Sequence, residues 1–217
     1  MLEIAGIELL PEWPAFLSFV VAGLALNIVP GADMTFVIAS AARRGRRDGI
    51  VAALGIGAGA LVHVIAATLG LSAILASSQT AFNLIKWVGA AYLLWIAFSL
   101  VRPGGTAGEP SSRPSGGGWP LFRSAMTVNI LNPKVALFFL AFLPQFVDPG
   151  AFSPAVQIFC LGLWFDLVGT LVNVMVAVAA AGMAGRFRQN AIVSRTARWI
   201  AATAMAGLAA QLAFSRR

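Results

Sequence analysis

The sequence predicts an all-α integral membrane protein with about six transmembrane helices. Of its 217 residues, 59% are hydrophobic and only 11% are charged, whereas soluble domains carry about 25% charged residues. The mean hydropathy is +0.85. Six spans of roughly 20 apolar residues each fit into this length with short connections. This composition excludes a water-soluble enzyme with one buried core, and residues 1–217 are interpreted as a single transmembrane domain.

Six apolar segments are predicted to cross the bilayer. They lie at about 15–40, 49–76, 81–101, 124–147, 154–182 and 197–214. The first follows an acidic N-terminal segment and is interrupted by Pro30, and the second runs without a charge after Asp48. The third follows the polar connection SSQTA, and the fourth contains Asn132-Pro133-Lys134. The fifth contains Asp166, and the sixth is the last apolar run of the chain.

The arginines predict the orientation of these spans, because positively charged loops stay on the cytoplasmic side. Eleven of them flank the odd-numbered connections, and the second and fourth connections contain no Lys or Arg. The eleven are Arg43, Arg44, Arg46 and Arg47, then Arg102, Arg113 and Arg123, then Arg186, Arg188, Arg195 and Arg198. The two arginines at the C-terminal tip are the exceptions, because they lie on the predicted outer side. Both termini are therefore predicted to face outward.

The charges, the cysteine content and the motifs of the sequence argue against several other classes of function. The net charge of +7 is explained by membrane orientation, and no aromatic-basic stripe accompanies it, so nucleic-acid binding is not predicted. The acidic start lacks the positive n-region of a cleaved signal peptide. Cys160 is the one cysteine, which excludes an intrachain disulfide and a Cys-based metal cage. No P-loop is present, so ATP-driven pumping by this chain has no support.

A linker rich in Gly, Pro and Ser, residues 103–120, divides the chain into halves of three spans each, about 15–101 and 124–214. An odd number of spans per half places the two halves in opposite orientations. Their first helices carry related elements, Asn27-x-x-Pro30-Gly31 and Asn129-x-x-Asn132-Pro133. Paired Pro-interrupted helices of this kind indicate the binding site of a transporter.

The first of these elements predicts a broken helix with backbone carbonyls that lack a helical donor. Pro30 removes one backbone hydrogen bond, and Gly31 loosens the chain further. The carbonyls freed near positions 26 and 27 need a partner that lipid cannot supply. The carboxylate of Asp33 is expected near the start of the new helix, where the helix dipole favours a negative charge. The alternative is a plain kink filled by neighbouring side chains.

The second element places a cation deep in the bilayer. On a straight helix, Lys134 would stand roughly 15 Å from either end, near the midplane. A cation there costs roughly 2.5–3.5 kcal/mol on insertion scales. Lys134 is expected to meet a substrate carboxylate or an intramembrane acid such as Asp33 or Asp166. In the alternative, the break at Pro133 lets Lys134 snorkel to the cytoplasmic surface.

Two further polar residues lie inside predicted spans. Asp166 is a candidate proton carrier or cation ligand, or else a hydrogen-bonding partner of a neighbouring helix. His63 is a candidate proton relay, or else a hydrogen-bonded packing residue. It shares a helix face with Gly59, and Gly55 with Gly59 forms a small-xxx-small pair that allows two helices to approach closely.

The sequence resembles the LysE/RhtB type of amino-acid exporter from about residue 15 to residue 214. The resemblance is carried by Asn27-Ile-Val-Pro30-Gly31-Ala32-Asp33, the GRRDG segment at 45–49, and NILNPKVALFFLAFLPQFV with Asn132-Pro133-Lys134. One departure is the acid at Asp33, where the family often reads Pro-Gly-Pro-Asn. The resemblance implies export of amino acids or close derivatives across the bacterial inner membrane, driven by the proton-motive force.

The residues and the resemblance together suggest one site, with no cofactor and no metal. The expected substrate-binding residues are Asn27, Pro30, Gly31, Asp33, Asn129, Asn132, Pro133 and Lys134. The candidates for proton coupling are Asp33, Asp166 and His63. The expected partners are a small-molecule amino acid, the lipid bilayer and, through the small-residue faces of the second span, a second copy in a homodimer. A cation or metal-ion exporter is the alternative, ahead of a membrane-embedded hydrolase or a structural subunit.

Overall fold

The computed structural model describes residues 3–4, 7–71, 117–148 and 153–182, with separate helical positions within 80–98 and 199–210. Strands β1 (Glu3–Ile4) and β2 (Ile7–Glu8) form a small antiparallel hairpin that the sequence analysis did not predict. Two residues per strand are too few to show an alternating pattern. The elements that follow are helical, so the prediction of an all-α membrane protein is confirmed.

Nine helical elements are bounded in the described residues. They are α1 (Trp13–Ile28), α2 (Ala32–Arg44), α3 (Arg46–Ala66), a π-helix (Ala67–Leu71), α4 (Trp119–Ile130), α5 (Pro133–Leu137), a second π-helix (Phe138–Phe142), a 3-10 helix (Leu143–Phe146) and α6 (Pro154–Gly182). Gly45, at a φ of 86°, makes the sharp connection from α2 to α3. This left-handed conformation is easily adopted only by glycine.

Four of the predicted spans correspond to helices or helix pairs of the described residues. Arg46–Gly70 and Pro154–Gly182 are each long and apolar enough to cross a membrane. The α1–α2 pair is bent by 51°, and α4 is bent by 47° against Pro133–Phe146. Both breaks fall at the predicted prolines. The segments 81–101 and 197–214 are described only at separate positions, and linker residues 103–116 lie outside the described residues.

The two bent pairs run in opposite directions through two hydrophobic clusters. The first cluster contains Phe19 of α1 and Val135 of α5, and the second contains Phe36 of α2 and Val128 of α4. The chain therefore passes from the first cluster to the second across one break, and returns across the other. Both breaks lie where one cluster gives way to the other.

Glycines bring α3 close to its neighbours inside the chain. A Cβ at Gly59 would lie 2.6 Å from the carbonyl oxygen of Met126 and 2.7 Å from Cβ of Asn129, both on α4. Gly55 meets α4 in the same way, and Gly57 faces Thr170 of α6. The predicted close helix approach at Gly55 and Gly59 is confirmed. Because these faces are occupied within the chain, a homodimer would require another surface.

The outward surfaces of α1 and α6 are apolar. Their exposed side chains include Leu17, Val21 and Ile28 on α1, and Leu167 and Leu171 on α6. Exposed hydrophobic groups at three- and four-residue intervals along both helices suit contact with lipid acyl chains.

Candidate functional site

The first break places an acid at the start of α2. Helix α1 ends at Ile28, Val29 adopts an extended conformation (φ −63°, ψ 120°), and α2 begins at Ala32. Pro30 has no N–H to continue the ladder of α1. Asp33 lies in the first turn of α2 and is only 8% exposed. The carboxylate therefore lies at the start of the new helix, as predicted, where the helix dipole stabilises its negative charge.

The second break places a cation at the start of α5. Helix α4 ends at Ile130, and Pro133 is the first residue of α5, a position that tolerates its missing N–H. Asn132 is the N-cap, since its Oδ1 accepts a hydrogen bond from the backbone N–H of Lys134 at 3.0 Å. Asn132 was expected among the substrate-binding residues, and its side-chain oxygen is engaged in helix capping.

The two breaks meet in a buried ion pair. Nζ of Lys134 lies 3.4 Å from Oδ1 of Asp33 and 3.2 Å from the carbonyl oxygen of Val29. Lys134 is 6% exposed, so it does not snorkel to a surface. Of the two expected acids, Lys134 meets Asp33, whereas Asp166 accepts a hydrogen bond from its own helix neighbour Thr170.

Gly31 leaves the space in which this ion pair forms. A Cβ at this position would lie 2.7 Å from Oδ1 of Asp33 and 2.9 Å from Nζ of Lys134. Both distances are shorter than a van der Waals contact. The Pro-Gly sequence therefore has two separate effects, since Pro30 interrupts the helix and Gly31 makes room for the pair.

The backbone acceptor at this site is not one of those expected from the sequence. Carbonyls near positions 26 and 27 were predicted to be free, because Pro30 cannot donate to the preceding turn. The carbonyl that contacts the ammonium belongs to Val29. The extended backbone of Val29 turns its carbonyl away from the helical direction. Nothing in an apolar side chain signals this role in the sequence.

Three asparagines surround the breaks. Nδ2 of Asn27 donates to the carbonyl oxygen of Phe165 on α6 at 3.5 Å. Oδ1 of Asn129 and Nδ2 of Asn132 are both buried and have no hydrogen-bond partner in the structure. Unpartnered buried polar atoms are uncommon in folded proteins. One acceptor and one donor near the second break are thus without a partner.

His63 reaches the second break from α3. Its Nε2 lies 3.1 Å from the carbonyl oxygen of Asn129, and its ring stacks on Phe139 with centroids 6.0 Å apart. The close approach at Gly59, one turn earlier, brings the ring to α4. His63 was a candidate for proton relay or for packing, and the contact observed is a hydrogen bond to the backbone.

Asp166 occupies a separate position, on α6 next to Phe165. Its Oδ1 accepts a hydrogen bond from Thr170 at 3.3 Å, and a Cβ at Gly57 of α3 would lie 3.5 Å from the same oxygen. The sequence analysis did not single out Thr170. Its spacing of four residues from Asp166 on a helix was the available signal, because residues so spaced are neighbours on one face.

Gln145 and Gln157 form another polar feature that the sequence analysis missed. Oε1 of Gln157 accepts from the backbone N–H of Asp148 at 2.8 Å, while Oε1 of Gln145 and Nε2 of Gln157 are buried without a partner. Two glutamines in otherwise apolar spans were the signal. Gln145 follows the π-helix of the fourth span, and Gln157 lies near the start of α6. Both positions are away from the breaks along the chain.

Comparison with known proteins assigns the chain to a family. The LysE type translocator family matches residues 24–216. A membrane protein of Vibrio cholerae, recorded as uncharacterized, is 31% identical over 62% of this chain and 65% of its own length. A leucine efflux protein of Klebsiella pneumoniae is 27% identical over 70% of this chain and 73% of its own length.

A homoserine/homoserine lactone efflux protein of Salmonella typhimurium is 28% identical over 64% of this chain and 66% of its own length. No solved structure matches the chain. The family match spans both helix breaks, the ion pair between them, His63 and Asp166. This membrane protein therefore belongs to the LysE type translocator family.

Proposed function

We propose that this protein is a secondary transporter that exports amino acids or close derivatives from the cytoplasm across the bacterial inner membrane. The observation that carries the proposal is the buried ion pair between Asp33 and Lys134, which joins the two broken helices. The efflux proteins of leucine and of homoserine among its relatives support the same substrate class. A protein with this function is a transporter and not an enzyme.

The charges of the pair match those of a zwitterionic amino acid. We infer that the substrate carboxylate binds the ammonium of Lys134, and that the substrate ammonium binds Asp33 and the carbonyl of Val29. The substrate would then replace one ion pair by two, so the buried charges stay compensated throughout. Uncompensated buried charges are costly in an apolar interior, which favours exchange of this kind over simple opening of the pair.

The neutral groups of the site complete the binding pocket that we propose. Oδ1 of Asn129 accepts from a substrate N–H, and Nδ2 of Asn132 donates to a substrate oxygen. Both atoms are buried and unpartnered, so a ligand that satisfies them removes a desolvation penalty of the empty site. Asn27 forms the wall toward α6, where it contacts Phe165.

Proton antiport is the proposed source of energy. Asp166 or Asp33 takes up an external proton as the substrate leaves and releases it to the cytoplasm. A neutral zwitterion moving out against one proton moving in transfers one net charge, worth roughly 2.3 kcal/mol per 100 mV. The opposite directions of the two bent pairs support halves of inverted orientation, and the distribution of arginines favours both termini outside.

A cation or metal-ion exporter is the alternative function. Such a protein would use the same acids and freed carbonyls. The ammonium of Lys134 lies at the carboxylate that the cation would need, and its positive charge would repel the ion. Lys134 is dispensable in the cation mechanism and required in amino-acid export, which separates the two.

Efflux from preloaded cells tests the proposal. Cells with and without overexpressed protein are loaded with labelled amino acids released from dipeptides, and efflux is followed before and after addition of a protonophore. Faster efflux of one group of amino acids, abolished by the protonophore, is the expected result. The cation alternative would replace this function if two results were obtained together. Efflux of every amino acid would be equal in cells with and without the overexpressed protein, and cation flux in proteoliposomes would survive K134Q.

A further inference from the structure

Each half of the protein supplies the side chain that contacts the helix break of the other half. Lys134, in the second half, donates to the carbonyl of Val29 at the first break at 3.2 Å. His63, in the first half, contacts the carbonyl of Asn129 at the second break at 3.1 Å. The two contacts cross between the halves, and each involves a carbonyl within four residues of a proline.

The carbonyl of Asn129 is the one that Pro133 leaves without its helical donor. In a continuous α-helix, the N–H of residue 133 would donate to this oxygen, but proline has no N–H. The N–H of Asn132 bonds it instead, at 2.9 Å. A carbonyl oxygen has a second lone pair, and Nε2 of His63 lies 3.1 Å from this oxygen.

We propose that His63 is a positioning residue that fixes Asn129 and the second break by donating a hydrogen bond from Nε2 to the carbonyl oxygen of Asn129. The proposal rests on the export function proposed above. Because a carbonyl oxygen only accepts, the imidazole must hold a hydrogen on Nε2 to make this bond. The bond needs a donor at that position and does not need a group that titrates.

The neighbourhood of His63 holds the ring in one orientation. Phe139 stacks on it with an angle of 16° between the rings, and Gly59, one turn before His63, brings α3 into close contact with Met126 and Asn129 of α4. Asn129 connects His63 to the proposed binding site. Its backbone carbonyl is contacted by His63, and its side-chain Oδ1 is the unpartnered acceptor to which the proposed function assigns a substrate N–H.

Three substitutions separate the donor role from the alternatives. In H63Q, the side-chain amide places its nitrogen close to the position of Nε2 but cannot titrate near neutral pH. In H63N, the amide is one carbon shorter and does not reach the carbonyl. In H63F, the ring still stacks on Phe139, but the donor is lost. Hydrogen bonds inside membranes contribute roughly 0.6–2 kcal/mol, which corresponds to roughly three- to thirty-fold in a rate or equilibrium constant.

The first measurement is hydrogen–deuterium exchange of segment 128–138 in the detergent-solubilised, substrate-free protein. H63Q is expected to retain the protection of the wild-type protein, while H63N and H63F exchange roughly three- to thirty-fold faster in this segment. Equal protection in all four proteins would overturn the proposal. This measurement needs no transport, so it decides the role of His63 even if the proposed export function fails.

The second measurement is amino-acid efflux at matched amounts of protein in the membrane. H63Q is expected to export at close to the wild-type rate and to keep its protonophore sensitivity, while H63N and H63F are slower by the same factor as in exchange. If H63Q is as inactive as H63F, a hydrogen-bond donor at this position is not sufficient for export and the proposal is wrong. If H63F exports normally and H63Q does not, stacking on Phe139 is the role of the ring, and the proposal is equally wrong.

Discussion

Asp33 and Lys134 are 101 residues apart in the sequence, and their side chains meet at 3.4 Å where the two broken helices face each other. Asp33 lies in the first turn of α2, which begins two residues after Pro30, and Lys134 follows Pro133, the first residue of α5. Each is almost fully buried, with 7% of the lysine side chain and 12% of the aspartate side chain exposed. The pair joins the two halves of the protein at a point that apolar residues surround on both sides.

Neutralising one member of this pair is expected to reduce both stability and export. Removing one partner of a buried ion pair leaves an uncompensated charge and costs about 3–5 kcal/mol, whereas a neutral pair of similar size is often tolerated. D33N and K134Q alone should therefore lower the Tm in detergent, and D33N/K134Q together should recover most of it. Export should be lost in all three.

The double variant decides between a structural and a transport role. Thermal melting gives the stability, and efflux at matched protein levels gives the transport. D33N/K134Q with recovered Tm and wild-type efflux would show that the pair only holds the helices together. That result would remove the basis of the proposed binding site.

G31A is expected to disturb the ion pair without changing any charge. The added methyl group would lie 2.7 Å from the Asp33 carboxylate and 2.9 Å from the Lys134 ammonium, so one of them must move. A misplacement of about 1 Å in a site can cost about 100-fold, and we expect efflux to fall at least about tenfold. The matched control is G70A, since a Cβ at Gly70 meets nothing within 4 Å. Equal efflux in the two variants would contradict the close contact.

Two substitutions of Asn132 separate helix capping from substrate binding. N132S keeps an oxygen that can cap the N–H of Lys134 but lacks the unpartnered Nδ2, whereas N132A lacks both. Loss of an N-cap costs about 0.5–2 kcal/mol. N132S should therefore retain the wild-type Tm and lose affinity for the amino acid, seen as a higher KM of efflux. N132A should lose both, and an unchanged KM in N132S would exclude Nδ2 from the binding site.

D166N is expected to uncouple transport from the proton gradient if Asp166 is the carrier. An asparagine cannot take up and release a proton, but the ion pair of Asp33 and Lys134 is left in place. Exchange of labelled for unlabelled amino acid across proteoliposomes should continue, while concentrative, protonophore-sensitive export should stop. Loss of exchange as well would place Asp166 in substrate binding instead.

The matched control for D166N is D48N. Asp48 forms a pair with Arg44, four residues away, at 3.6 Å, with 37% of the arginine side chain and 20% of the aspartate side chain exposed, and helix pairs of this spacing near the surface contribute little. Both exchange and concentrative export should remain at wild-type levels in D48N. A comparable loss in the two variants would indicate a general effect of removing negative charge.

Much of the site was predictable because buried charge and proline in an apolar helix are costly and therefore informative. Lys134, Asp33 and Asp166 stand out against long apolar runs, and Pro30 and Pro133 mark both helix breaks. The partner of Lys134 was left open between Asp33 and Asp166, since spacing along two helices gives no distance between them.

The sequence by itself determined the membrane character, the positions of both breaks and the identity of the charged residues that follow each break. These properties follow from local composition, because each apolar segment and each proline acts on its own stretch of chain. The carbonyl of Val29, the capping oxygen of Asn132 and the bond of His63 to the carbonyl of Asn129 were decided only by the tertiary structure. Each of these contacts depends on where a bent backbone turns its polar groups, and two of them depend on how closely helices from the two halves approach.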